Sequence, residues 1–278
     1  MQDAYDYCAD LVRQADRDRF IAALFAPMEH RGALHALYAF ASEVARVREL
    51  AREPAPGEIR LQWWCDVIGG ARSEEAAANP VAAALLATIE RYDLRADTLF
   101  DLLEARRFDL YNDAMASLAD LAEQARKTSS ALFALAATIL AGTDAAPVAE
   151  PAGVAYAVAG LLRALPRHIA RGQIYVPADL LERHQVSPND LLAGRYSPGL
   201  VAALGELRTF ARGQLAAAHA RVTTLPHLAL PALLPVATVG PTLDRLERSD
   251  PFVPREIPAW RRQWLIWRAA RNPARIAG

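Results

Sequence analysis

The chemistry that stands out in this sequence is a group of basic side chains at the end of an apolar segment, LLRALPRHIARGQIYVP (161–177). Arg163, Arg167, His168 and Arg171 follow one another at short spacing. Guanidinium groups bind phosphate and carboxylate oxygens in a bidentate manner. The cluster is therefore interpreted in three ways: as an anion-binding site, as the partner of buried carboxylates, or as a solvated helix end.

Carboxylates offer a second kind of chemistry, because two aspartates four residues apart on a helix present hard oxygen ligands on one face. Asp109 and Asp113 have this spacing, at the end of a predicted helix. The alternative to a metal site is an exposed helix terminus. Glu43 and Arg46, three residues apart, are typical of an ordinary surface ion pair.

The C-terminal segment WRRQWLIWRAARNPAR places Trp260, Trp264 and Trp267 on one side of a predicted helix, with arginines beside them. Aromatic anchors combined with arginine are typical of a membrane interface or of a groove on a partner. The alternative is a last helix whose tryptophans pack on the protein's own core. The sequence leaves both open.

Charge, cysteine content and hydropathy argue against several classes of protein. The net charge of −1 gives no global positive field, so we expect no nucleic-acid partner. Two cysteines, Cys8 and Cys65, exclude a disulfide scaffold. The acidic first residues do not resemble a signal peptide, and neither long apolar run is a convincing membrane span. We therefore expect a cytoplasmic protein, with peripheral contact to the inner membrane as a further option.

The elements that must position these residues are helices. Apolar residues recur at intervals of three and four along 29–50, 117–142, 148–168 and 198–223. Asn79-Pro80 is a start signal for a helix at 80–92, and Ser117 is the predicted N-cap of the helix at 117–142. No repeat or low-complexity linker interrupts the chain. The prediction is one all-α domain spanning residues 1–278.

Four segments, in order, resemble the squalene/phytoene synthase family. They are LFAPMEHRGALHALYAFASEV, LQWWCDVI, FDLYNDAMASLADLAEQA and GVAYAVAGLLRALPRHIARGQIYVPADLL. The resemblance implies the all-α isoprenoid-synthase fold, a helical bundle with a central cavity. In that family, two aspartate-rich motifs on facing helices bind Mg²⁺ and the diphosphates of two prenyl substrates.

Carried over by position, the resemblance places Ala45 and Glu49 where the first motif has its metal-binding aspartates. Ala164 and His168 take the aspartate positions of the second motif. Arg163, Gly172, Tyr175 and Pro177 match the family's scaffold. The resemblance thus implies degenerate metal motifs, and neither a metal nor another cofactor is expected unless a prenyl-transfer activity survives with Mg²⁺. Candidate ligand- or anion-binding residues are Arg46, Arg163, Arg167, His168 and Tyr175.

The runs FASEVARVRE and LLRALPRH more closely resemble a divergent branch of the family, the mitochondrial complex I assembly factor with a squalene/phytoene synthase domain. This resemblance implies a non-catalytic protein, interpreted as a bacterial relative, that assists respiratory complex I assembly or binds an isoprenoid- or quinone-like ligand. The alternative is a prenyltransferase acting on polyprenyl diphosphates, with Arg46, Arg163 and Arg167 gripping the diphosphate. In a third interpretation, Glu43 and Glu49 neutralise Arg163 and Arg167 and form a structural ion-pair core.

Overall fold

Every regular element in the described part of the chain is a helix, which confirms the all-α prediction. The computed structural model describes residues 1–51, 53–111, 113–142, 144–253 and 256–278. The first helices are α1 Gln2–Ala15, α2 Arg17–Ala23, α3 Met28–Ala45, α4 Val47–Leu50, α5 Pro54–Ile68, α6 Ser73–Ala78, α7 Pro80–Tyr92 and α8 Ala96–Phe108. Next come α9 Leu118–Ala125, α10 Ala131–Ala141, α11 Ala146–Ala170, α12 Ala178–Arg183, α13 Pro188–Leu192 and α14 Pro198–His219. The last are α15 Leu230–Leu233, α16 Val239–Glu247 and α17 Ala259–Arg271.

The helices are grouped into two compact units, each formed from several separate stretches of the chain. The first unit comprises residues 1–111, 131–146 and 224–235, and the second comprises 112–130, 147–223 and 236–278. The single domain at 1–278 stays a prediction.

The first unit is built around α3, which packs against α1, α7 and α10. Residues from Ala33 to Phe40 are all buried, because helices contact α3 on several sides. The Phe40 ring meets the Trp64 ring edge-on, with centroids 4.9 Å apart. Aromatic pairs in this geometry add stability beyond the area that they bury. The apolar sequence of α3 thus reflects a core position.

The second unit packs α14 against α12 and α16. α11 supplies many of its buried residues. By length and composition α11 is apolar enough to span a membrane, but 61% of its most apolar window is buried within the protein. This burial is typical of a core helix.

The predicted long helices are interrupted where side chains or prolines disturb the backbone hydrogen bonds of the helix. The helix expected at 29–50 ends at Ala45 and restarts at Val47. Ser42 Oγ donates to the Tyr38 carbonyl at 2.7 Å, a bond that bends helices, and the Arg46 amide is shared between two carbonyls. The proline-rich segment 227–247 forms short α and 3₁₀ helices in succession, since its prolines lack amide donors.

Asn79 caps α7 as the sequence predicts: its side-chain oxygen accepts from the amides of Val81 (2.9 Å) and Ala82 (3.1 Å). Asn79→Ala leaves these two donors without the cap, so we expect the free energy of unfolding to fall by about 1 kcal/mol. Urea unfolding measures the change. Asn79→Asp is the matched control, since it keeps an acceptor and should retain stability. Equal stability of Asn79→Ala and the wild type would contradict the role of the cap.

Candidate functional site

The basic cluster lies on the last turns of α11, where the four side chains differ in exposure. Arg163 and His168 are half-buried, whereas Arg167 and Arg171 are exposed. Pro166 lies inside the helix, which continues through it to Ala170. The structure thus turns the two half-buried side chains toward protein and leaves the other two in solvent.

Arg163 has unmet hydrogen-bonding capacity. Its Nε atom is buried, and no acceptor in the described part of the chain lies within hydrogen-bonding distance. A buried guanidinium N–H without an acceptor costs free energy that a bound anion would recover. Arg163 is therefore an anion-binding candidate.

The end of α11 brings Tyr175 back onto His168. The Gln173 amide donates to the His168 carbonyl and the Gly172 amide to the Ile169 carbonyl, both at 2.9 Å, which is a Schellman motif. Gly172 has φ of +71°, a conformation that glycine adopts without steric cost. The chain turns there, so that the Tyr175 ring lies 4.6 Å from the His168 ring, centroid to centroid. Two of the predicted ligand-binding residues are thus in direct contact.

The first degenerate motif lies at the junction of α3 and α4, in the first unit. Ala45, Arg46 and Glu49 are exposed there. Arg48 is half-buried, and its Nη1 donates to the Ala51 carbonyl at 3.1 Å. That bond ties the short α4 to the residue that follows it.

Glu43 is the half-buried carboxylate just before this junction. Burial raises its pKa, and the positive charges of Arg60 and Arg46 oppose that rise. Burial also raises the pKa of the Cys8 thiol to about 12, with the Glu43 charge adding to the effect. Cys8 is completely buried, so it is a small core residue rather than a nucleophile.

The side chains at the motif positions do not fit Mg²⁺. This ion takes carboxylate and other oxygen ligands. Between Ala45 and Glu49 the only carboxylate is that of Glu49, and between Ala164 and His168 there is none. Across residues 1–51, 53–111, 113–142, 144–253 and 256–278, no group of three or more histidine, cysteine, aspartate or glutamate side chains is arranged to hold a metal.

The remaining candidates are placed as follows. Asp109 forms an ion pair with Arg106 at 2.9 Å at the C-terminal end of α8, and Asp113 is exposed. This arrangement agrees with the helix-terminus interpretation. Trp260, Trp264 and Trp267 on α17 are all exposed, so the interpretation in which they pack on the protein's own core is wrong.

Sequence reasoning missed a polar cluster between α5 and α8. Arg107 donates to Gln62 Oε1 at 3.0 Å and pairs with Glu58, which also accepts from the Tyr111 hydroxyl at 3.0 Å. The cluster joins two segments more than forty positions apart, so local spacing gave no signal. The arginine and glutamate charges are mutually satisfied, which is typical of a structural cluster.

Solved structures identify the fold. A squalene synthase from Alicyclobacillus acidocaldarius superposes with a TM-score of 0.76 at 22% identity, covering 88% of this chain and 93% of that one. A dehydrosqualene synthase gives a TM-score of 0.80 at 18% identity, covering 96% and 95%. The fold is the all-α isoprenoid-synthase fold that the resemblance implied.

Sequence comparisons identify the family. The squalene/phytoene synthase family model matches residues 12–268, so the chain belongs to the squalene/phytoene synthase family. Complex I assembly factor 6 from Homo sapiens is 28% identical over 246 residues, covering 88% of this chain and 74% of that protein. A phytoene synthase from Thermus thermophilus is 28% identical over 276 residues, covering 93% and 91%. The predicted resemblance to both branches is confirmed.

Proposed function

We propose that this protein is a non-catalytic member of the squalene/phytoene synthase family that assists the assembly of respiratory complex I. The observation that carries the proposal is the side-chain chemistry at the metal-motif positions: Ala45, Ala164 and His168 stand where relatives have aspartates. Similarity to complex I assembly factor 6 of Homo sapiens supports the same conclusion.

Electrostatics argues against metal-dependent prenyl transfer. The first motif carries Arg46 and Arg48 against the single carboxylate of Glu49, and the second carries Arg167 without any carboxylate. Positive side chains repel a divalent cation, and here they outnumber or replace the carboxylates. Each motif would therefore disfavour Mg²⁺, which its counterparts in the family attract.

The same arginines suit an anion. The half-buried Arg163, whose Nε lacks an acceptor among the described residues, is available for a carboxylate of a partner subunit or for the polar head of an isoprenoid- or quinone-like ligand. His168 and Tyr175 supply an adjoining aromatic surface. In this proposal the altered metal motif at the end of α11 recognises a partner or a ligand and catalyses no reaction.

The second candidate is a prenyltransferase, which similarity to the phytoene synthase of Thermus thermophilus favours. Arginines stabilise the negative charge of a departing diphosphate in part. In this alternative, Arg163 and Arg167 of the second unit bind the diphosphate in place of metal.

A prenyl-transfer assay separates the two candidates. Purified protein is incubated with farnesyl or geranylgeranyl diphosphate, with and without Mg²⁺, and pyrophosphate is measured, with the Thermus thermophilus phytoene synthase as the active control. We expect no pyrophosphate above the protein-free background. Metal-dependent release with a C30 or C40 product would contradict the non-catalytic proposal, and release without metal would favour the arginine-based alternative.

Complementation tests the assembly role. The full chain, with a mitochondrial leader added, is expressed in human cells that lack complex I assembly factor 6, and NADH:ubiquinone oxidoreductase activity is measured. We expect recovered activity with the wild type and with the control Arg195→Ala, whose side chain is largely exposed. We expect loss with Arg163→Ala. Absence of rescue by the wild type contradicts the assembly role.

Arg163→Ala also tests the ion-pair interpretation. If Arg163 serves a ligand or a partner, the variant should retain the thermal unfolding midpoint of the wild type while losing rescue. A variant that no longer folds would instead assign Arg163 to a structural ion pair, because removing one partner of a buried pair is strongly destabilising.

A further inference from the structure

The outward side of α17 is unusually aromatic. Trp260, Trp264 and Trp267 are spaced four and three residues apart, so they share one side of the helix. Their exposed fractions are 70%, 45% and 43%. Ile266 and Ala269 project from the opposite side and are buried. The helix is thus anchored to the protein through its aliphatic side, and the tryptophans are left in solvent.

The same segment is strongly basic. Residues 257–278 contain no aspartate or glutamate and carry five arginines. They are Arg261, Arg262, Arg268, Arg271 and Arg275. The guanidinium of Arg268 lies 4.3 Å from the centre of the Trp264 ring, and that of Arg271 lies 4.2 Å from the Trp267 ring. Cation–π contacts of this kind hold charge and ring at the same surface.

Elsewhere in the second unit, carboxylates lie beside arginines. Arg183 pairs with Glu206, and Arg212 pairs with both Asp244 and Glu247. The segment 257–278 supplies no carboxylate side chain of its own to neutralise its positive charge. A binding surface that complements this segment is negatively charged, extended and able to accept indole rings.

We propose that the tryptophan face of α17 binds an anionic phospholipid surface and holds the protein on a membrane as a peripheral protein. Indole rings favour the interface, where the ring enters the acyl boundary while the N–H stays with water and headgroups. Arginine binds lipid phosphates, and an anionic leaflet attracts basic residues that lie within a Debye length. The proposal stands independently of the assembly role, because it rests on α17 alone.

Vesicle binding tests the proposal with the full chain. Protein is sedimented with vesicles of phosphatidylcholine alone and of equal parts phosphatidylcholine and phosphatidylglycerol. We expect binding to the anionic vesicles, weakened by high salt, and little binding to the neutral ones. Brominated lipid should quench the tryptophan emission of the wild type. Equal, salt-independent binding to both vesicles, or no binding and no quenching, would overturn the proposal.

Two double variants assign the binding to α17. Trp264→Ala with Trp267→Ala should weaken binding by roughly tenfold or more, because both interfacial anchors are lost. Arg268→Ala with Arg271→Ala should weaken it by about fivefold per arginine and reduce its salt dependence. Tyr196→Ala, which removes an exposed aromatic outside α17, is the matched control and should bind like the wild type.

The same variants exclude other occupants of the face. Thermal melting establishes that each variant is folded, and if one is not, lipid quenching of the wild type still decides the question. Sedimentation equilibrium without lipid reports self-association. A dimer that disappears in the tryptophan variant would assign the face to a second copy of the chain and overturn the proposal. Unchanged vesicle binding by both folded double variants would also overturn it.

Discussion

Gly153→Ala is expected to lower the free energy of unfolding by about 3 kcal/mol, at the upper end of the usual penalty for overpacking a core. A Cβ at this position of α11 would lie 2.3 Å from both Cα and Oγ of Ser130 and 2.4 Å from its amide nitrogen. Two of these three atoms belong to the backbone and cannot rotate away. Urea unfolding monitored by circular dichroism measures the loss.

Gly160→Ala is the matched control in the same helix. Nothing lies within 4 Å of a Cβ at Gly160, so alanine meets no steric opposition there. Alanine is the better helix former by about 1 kcal/mol, and we expect this variant to gain stability of that order. A similar change in both variants would show that the backbone contact with Ser130 carries no special cost.

The contact at Gly153 also explains why one helix was predicted incorrectly. The segment 117–142 has the periodicity of a single helix, but it forms α9, a π-helical stretch at Arg126–Ser130, and α10. Ser130 Oγ donates to the Glu150 carbonyl at 2.8 Å, where the two backbones meet. That approach joins residues twenty or more positions apart, so no local pattern predicts it.

Helix ends are predictable from the sequence where the residues that end the helix lie within one turn of it. The Asn79-Pro80 signal predicts the start of α7 correctly, and Ser117 caps α9 by accepting from the Asp120 amide at 3.2 Å. Each cap requires only residues within one turn of the chain. The break at Arg46 depends on shared carbonyls and on packing around α3, which periodicity does not encode.

In the candidate site, too, some features are predictable from the sequence and others are not. The altered residues at the motif positions, Ala164 and His168 among them, are visible in the sequence because the family resemblance supplies the register. The solvent exposure of a side chain cannot be predicted from the sequence in this way. The spacing of the three tryptophans fits a buried and a solvent-facing stripe equally well, and it is the burial of Ile266 and Ala269 that decides between them.

The second large effect concerns His35, a histidine of α3 that is 6% exposed and stacked on the Phe20 ring with centroids 5.5 Å apart. Burial lowers its pKa from 6.5 to about 4, and the Arg31 charge adds to the shift. The unfolded chain therefore takes up this proton first as pH falls. The stability that neutral His35 contributes is complete above about pH 6.5 and is lost between there and pH 4, by roughly 3 kcal/mol in total.

His35→Phe keeps a ring on Phe20 and removes the titration, so its unfolding free energy should lack this loss between pH 6.5 and 4. The half-buried Glu43 acts in the opposite direction, since a raised pKa in the folded state makes stability fall as pH rises. Subtracting the variant's pH curve from that of the wild type cancels this contribution and isolates His35. Parallel curves for the wild type and His35→Phe would mean that His35 is protonated as readily in the folded protein as in the unfolded chain.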